Sequence, residues 1–158
     1  MNKLVRLFVL FPFLIGCDNK SPVTFKLKVE YNPTDALIEV NPEYMYKHAI
    51  TDSVTSIYYV GDETCTACKE LKPQLEAWCE VYHGAIYYIP VSTIKDEEQL
   101  EYLKNATHYE ASTPYSWEGN SSVPAVFFMM DKYIVQRTDQ TNTMFYLTTY
   151  VEVLPQNS

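Results

Sequence analysis

From Phe25 to Tyr31, apolar and polar residues alternate strictly, the pattern of a half-buried strand. Asn32-Pro33-Thr34-Asp35 has turn composition, and Ala36 to Val40 reads as the returning strand, so residues 25–40 predict an N-terminal β-hairpin. Pro42 to Ile50 fits a short helix with Asn41 as its cap and proline in its first position. Ile57-Tyr58-Tyr59-Val60 is a β-rich apolar run, followed by the polar connection Gly61-Asp62-Glu63-Thr64. Beyond it Leu71, Leu75, Trp78, Cys79 and Tyr82 recur at spacings of three and four, which places them on one face of a helix. That helix is expected to stop at His83-Gly84, with the glycine supplying a positive φ. Ala85 to Ile89 is continuously apolar, as in a strand covered on both faces, and Pro90 closes it. Asp96 to Lys104 predicts a helix with acids in its first turn. Asn105 to Ser122 is polar, contains Pro114 and Gly119, and is long for a loop. Ala125 to Met130 and Tyr133 to Arg137 form two strands around the tight turn Asp131-Lys132, and Thr141 to Val153 predicts a closing helix. Strands and helices in alternation indicate an α/β fold.

The first residues follow a different rule. Lys3 and Arg6 precede an apolar run, Leu7 to Ile15, that is too short to span a bilayer. It ends in Leu14-Ile15-Gly16-Cys17, which resembles the lipobox of bacterial lipoproteins. The resemblance implies that residues 1–16 are a signal peptide and that Cys17 carries a diacylglyceryl thioether. Residues 17–24 would then be the lipidated cysteine and its tether, ahead of the hairpin (25–40) and a domain spanning 41–158. The implied location is the extracytoplasmic face of a bacterial cell membrane.

The chain has 158 residues, enough for one domain with a sizeable core. Its net charge is −8, which argues against nucleic acid as a partner, since that interaction needs basic patches. Removing residues 1–16 takes two of the 12 basic residues and none of the 20 acidic ones.

The candidate chemistry lies in Cys65-Thr66-Ala67-Cys68, where a strand hands over to the first turn of a helix. Unpaired N–H groups at a helix start favour negative charge. A thiolate at Cys65 is stabilised there and becomes the nucleophile. Cys68, one turn on, is placed to attack a mixed disulfide and release its partner. A structural disulfide without turnover is the competing reading, because disulfides persist outside the cytoplasm. A zinc site needs four ligands; there is no second CxxC, and His48, His83 and His108 are scattered, so no metal is expected. Cys79 lies eleven residues beyond Cys68, about 16 Å along an intact helix, too far to pair with it. It reads as a buried apolar residue.

The order of strand, CxxC and helix, with Pro73 eight residues after Cys65 and Val123-Pro124 before a second apolar strand, resembles the thioredoxin superfamily over roughly Asn41 to Glu152. The resemblance implies a thioredoxin-like fold with a central mixed β-sheet flanked by helices. It also implies a cis proline at Pro124 facing the CxxC, with Val123 offering its backbone to an extended substrate. The acidic lipoprotein layout also looks like the thioredoxin-like accessory proteins of Gram-positive bacteria, some tied to bacteriocin export. The chain departs from thioredoxin at the site itself. Thr64 stands for a tryptophan, Thr66-Ala67 for Gly-Pro, and Tyr59 for a buried aspartate six residues before the first cysteine. Asp62 and Glu63 oppose thiolate formation, and Lys69 and Lys72 offset them in part. Tyr109, Tyr115 and Trp117, in the insertion before the proline loop, form either a partner surface or further core.

The implied function is a membrane-anchored thiol–disulfide oxidoreductase acting on protein thiols and disulfides and served by a redox partner protein. It needs no dissociable cofactor, because the cysteine pair is the redox centre. The alternative is a non-enzymatic surface lipoprotein with a thioredoxin-like binding domain and a permanent CxxC staple.

Overall fold

A computed structural model describes residues 26–51, 55–107, 123–130 and 133–156. Cys17 with its leader and tether, and the loop residues Tyr109, Tyr115 and Trp117, lie outside the described residues. The elements in chain order are β1 (Leu27–Val29), β2 (Ile38–Glu39), α1 (Pro42–Thr51), β3 (Ser56–Gly61), α2 (Thr66–Tyr82) and β4 (Tyr87–Pro90). They continue with α3 (Glu97–Thr107), β5 (Ala125–Met130), β6 (Tyr133–Thr138), α4 (Thr143–Tyr150) and β7 (Val151–Val153).

A five-stranded mixed sheet in the order β2-β4-β3-β5-β6 forms the centre. β2, β4 and β3 are mutually parallel, while β5 runs antiparallel to β3 and β6 antiparallel to β5. Helices cover both faces, which is why its inner strands are apolar without alternation. On one face Ile57, Tyr59, Tyr88, Val126 and Phe128 pack with Leu71, Leu75, Trp78 and Cys79 of α2 and Leu147 of α4. On the other, Tyr58, Val60, Tyr87, Phe127 and Met129 pack with Met45 of α1 and Leu103 of α3. Successive strand residues point to opposite faces. Tyr58 and Tyr59, both fully buried, therefore serve different layers. That single alternation aims Tyr59 at the helix bearing the cysteines.

Three expectations are corrected. The hairpin expected over residues 25–40 is not formed by the described residues 26–40. β1 pairs in parallel with β7, Leu27 opposite Val151, and β2 pairs in parallel with β4, Ile38 opposite Tyr87. The turn between them directs the chain elsewhere: buried Asn32 accepts from Thr34 N at 3.0 Å and donates to Ala36 O at 2.7 Å, and Asp35 takes φ 55°. The closing helix is shorter than predicted, because Val151-Glu152-Val153 leaves it to pair with β1 as strand β7. Finally, the positive φ that ends α2 belongs to His83 (φ 56°), not to Gly84. Gly84 is needed for room: a Cβ there would lie 2.3 and 2.4 Å from the indole ring of Trp78. At the other boundary α3 runs on to Thr107, taking the first residues of the predicted loop.

Candidate active site

The turn Asp62 to Cys65 sets the first cysteine. Asp62 O accepts from Cys65 N at 3.2 Å, and the Asp62 carboxylate takes Thr64 N and Thr64 Oγ1, each at 2.7 Å. These two bonds hold that carboxyl below its ordinary range, so it stays charged and occupied by the turn. Cys65 is the N-cap of α2 in extended conformation (φ −75°, ψ 123°), and its Sγ accepts from Cys68 N at 3.2 Å. The thiol thus does what a serine or aspartate does at other helix starts. Pro73 lies inside α2, which continues to Tyr82.

Cys65 and Cys68 are unbonded and differ in setting: Cys65 is half-buried, whereas Cys68 is only 3% exposed. Burial pushes the Cys68 thiol up to about 11, opposed in part by Asp62 N, which donates to Cys68 Sγ at 3.5 Å. Cys65 Sγ also lies 3.7 Å from the carbonyl oxygen of Val123, and the Val123–Pro124 peptide bond is cis. Residues 58 positions apart are thereby joined at one spot: the Cys65 sulfur sits between a helix start and a backbone carbonyl able to pair with an extended chain.

Two hollows flank the cysteines. One, of about 380 Å³, is walled by Ala67, Val123, Pro124, Arg137, Asp139 and Gln140, and Gln140 also donates to Glu70 of α2. The other, of about 120 Å³, lies on the Cys68 side, between Tyr59, Tyr88, Lys72 and the Asp62-Glu63 turn. Lys72 Nζ sits 4.5 Å over the Tyr88 ring, a cation–π contact that holds it at the wall of this hollow. Cys79 is fully buried in the core below, its thiol pushed up to about 12 by burial, as the helical pattern indicated.

Sequence reasoning missed Tyr59 as a site residue, although it noted the position. Its hydroxyl donates to Cys68 O at 3.4 Å. The signal was the spacing from Cys65, but a tyrosine in an apolar strand carries no mark that separates it from its neighbour Tyr58.

No family model and no curated protein matches the chain. Solved structures do. Spinach chloroplast thioredoxin f, in its short form, aligns with a TM-score of 0.50 at 14% identity over 73% of this chain and 91% of that one. A single-residue mutant of a thioredoxin from Halobacterium salinarum gives 0.48 at 16% identity, over 77% of this chain and 96% of that one. A thioredoxin f2, solved in complex with ferredoxin:thioredoxin reductase, gives 0.49 at 12% identity, over 72% and 94%. The fold is that of thioredoxin.

Proposed function

We propose that this protein is a thiol–disulfide oxidoreductase acting on protein substrates, with Cys65 as nucleophile and Cys68 as resolving residue. The observation that carries the reading is the junction of Cys65 Sγ, the N-terminus of α2 and the Val123 carbonyl. In the reductive direction the Cys65 thiolate attacks one sulfur of a substrate disulfide, and the other substrate sulfur leaves as a thiolate that takes a proton from water. Cys68, deprotonated, then attacks Cys65 Sγ. The Cys65–Cys68 bond forms, the bond to substrate breaks, and the substrate has gained two electrons that the cysteine pair has lost. The oxidative direction reverses these steps. Val123 and Pro124 would hold the substrate strand, and a second protein would reset the pair.

We further propose that a lipid on Cys17 anchors the domain to the extracytoplasmic face of a bacterial membrane. The support is the order of Lys3 and Arg6, the apolar run and Leu14-Ile15-Gly16-Cys17.

Trapping tests the chemistry. In cells producing Cys68→Ser, substrates should accumulate as mixed disulfides on Cys65, released by dithiothreitol and missing from the Cys65→Ser, Cys68→Ser pair. Insulin reduction in vitro should be lost in Cys65→Ser. An absence of trapped species, together with a Cys65–Cys68 disulfide that resists dithiothreitol under native conditions, would replace the enzyme by a stapled binding domain. The anchor is tested by labelled palmitate, which should be incorporated by the wild type and not by Cys17→Ala.

A further inference from the structure

The sequence holds fourteen tyrosines, and on the face of the sheet away from α2 two of them meet a histidine. Tyr58 of β3 and Tyr87 of β4 are direct partners in the parallel register, and their rings stack at 5.2 Å with 26° between the planes. His48 of α1 lies against both, its ring centroid 6.3 Å from that of Tyr58 and 5.3 Å from that of Tyr87. The Tyr58 hydroxyl and His48 Nδ1 share a hydrogen bond of 2.5 Å. Tyr44, one turn earlier in α1, stacks on the imidazole at 5.3 Å and tilts onto Tyr87 at 5.5 Å. Tyr58 is fully buried, whereas Tyr44 is 39% exposed. Ring steps of 5.2 and 5.5 Å therefore connect a buried phenol to solvent.

Packing does not ask for the Tyr58 hydroxyl. Its layer holds Met45, Val60, Phe127 and Met129, and a phenylalanine would fill the same space with no polar group to satisfy. What the hydroxyl adds is a proton beside a base. A phenol that loses an electron becomes strongly acidic, so the electron leaves readily when a base within hydrogen-bond reach takes the proton. Imidazole is the side chain suited to that exchange near neutral pH. Burial strengthens the shared bond, and it keeps a radical away from reagents in water and from coupling with a second tyrosyl radical.

We propose that Tyr58 and His48 form a one-electron redox site. Its substrate class is a one-electron oxidant in the surrounding water, such as the carbonate radical anion or an oxidised metal complex. The oxidant gains one electron. The Tyr58 O–H bond breaks, its proton bonds to His48 Nδ1, and a neutral tyrosyl radical is left facing an imidazolium. An electron from a small reductant such as ascorbate, with the proton returned by His48, restores the phenol. The pair lies on the face of the sheet opposite α2 and does not rest on the oxidoreductase reading.

The test makes the oxidant with light. The full chain carries Cys65→Ser and Cys68→Ser, which removes those two thiols as competing donors. Excited tris(bipyridine)ruthenium(II) is quenched by a cobalt(III) ammine at about pH 8.5, where an ordinary imidazole is neutral. Tyrosyl radicals are then followed by transient absorption and by electron paramagnetic resonance of frozen samples. One long-lived radical is expected, and it should be absent from Tyr58→Phe. A hydrogen bond to a charged group favours Tyr58 over an exposed tyrosine by about 10- to 100-fold. His48→Phe should lose that factor, and the radical should move to exposed tyrosines. A second measurement serves should His48→Phe fail to fold. In the parent chain, electron–nuclear double resonance should find one proton coupled to the radical that deuterium oxide replaces. A hydroxyl with a purely structural role would lower the melting temperature in Tyr58→Phe and leave radical yield and lifetime as they were. That result, an unchanged radical in His48→Phe, or a radical without an exchangeable proton overturns the inference.

Discussion

Gly84→Ala should cost stability through one contact. The new methyl carbon would stand 2.3 and 2.4 Å from two atoms of the Trp78 ring and 2.9 Å from Val153 Cγ2. Carbon atoms in contact sit about 3.5–4.0 Å apart, so the ring or the backbone must give by about 1 Å. Neither yields easily. Trp78 is 3% exposed and packed in the α2 layer, and the chain around Gly84 is held by its bridge to Tyr31 and by Ala85 N donating to Glu30 O at 3.0 Å. Overpacking of this kind costs about 1–3 kcal/mol, here toward the upper end. Removing a glycine from the unfolded chain returns about 0.4–1 kcal/mol. The net loss is about 1.5–2 kcal/mol, which at an m-value of about 2 kcal/mol/M lowers the urea midpoint by a little under about 1 M. Circular dichroism of the reduced protein measures it. Trp78→Phe removes the outer edge of the indole, so Gly84→Ala should cost at least about 1 kcal/mol less in that background. An equal cost in both backgrounds, or a stabilised Gly84→Ala, would refute the packing argument. Insulin reduction should hardly change, because the glycine follows the far end of α2.

Other consequences can be measured directly. With burial holding Cys68 at about 11, a mixed disulfide on Cys65 should be released about tenfold faster for each pH unit between 7 and 9, and a flat stopped-flow profile would contradict the cause assigned to that shift. Asn32→Ala strands the partners of a buried amide, Thr34 N and Ala36 O, and should cost about 1–3 kcal/mol, seen as a lower melting temperature. For Cys79 the folded pKa, about 12, exceeds the ordinary value of 9.0. Its contribution is therefore complete below pH 9 and is lost as pH rises toward 12. Urea midpoints of reduced Cys79→Ala should fall less steeply across that window than those of the wild type.

The layered sheet was legible because its strands are written as unbroken apolar runs. That same feature hid the chemistry. With both faces apolar, nothing in Ile57-Tyr58-Tyr59-Val60 says which tyrosine meets α2 and which meets α1, yet of the two it is Tyr59 that touches Cys68. The cysteines announce themselves through local order, strand then helix start. Their meeting with Val123 does not, and it was reachable only through resemblance to thioredoxins. The hairpin failed for a related reason. Alternation in Phe25 to Tyr31 points to a strand, found at Leu27–Val29, but a strand's partner is chosen by burial across the fold, and β1 found Val151 and Val153 at the other end of the chain. At His83 the rule that assigns positive φ to glycine met a stronger one, the need for an empty Cβ position beneath Trp78.

The position of β1 also gives the molecule a polarity. Val29 bridges in parallel to Thr55, just before β3 begins, whereas the cysteines follow where β3 ends. The described chain therefore enters at the pole opposite the Cys65 sulfur, with about 20 Å of strand between them. On the lipidated reading, the nine residue-to-residue steps from Cys17 to Lys26 would reach at most about 30 Å from the bilayer. On that reading the attachment and Cys65 would lie at opposite ends of β3, so a donor or acceptor embedded in the membrane would have to reach past the length of that strand to meet the sulfur.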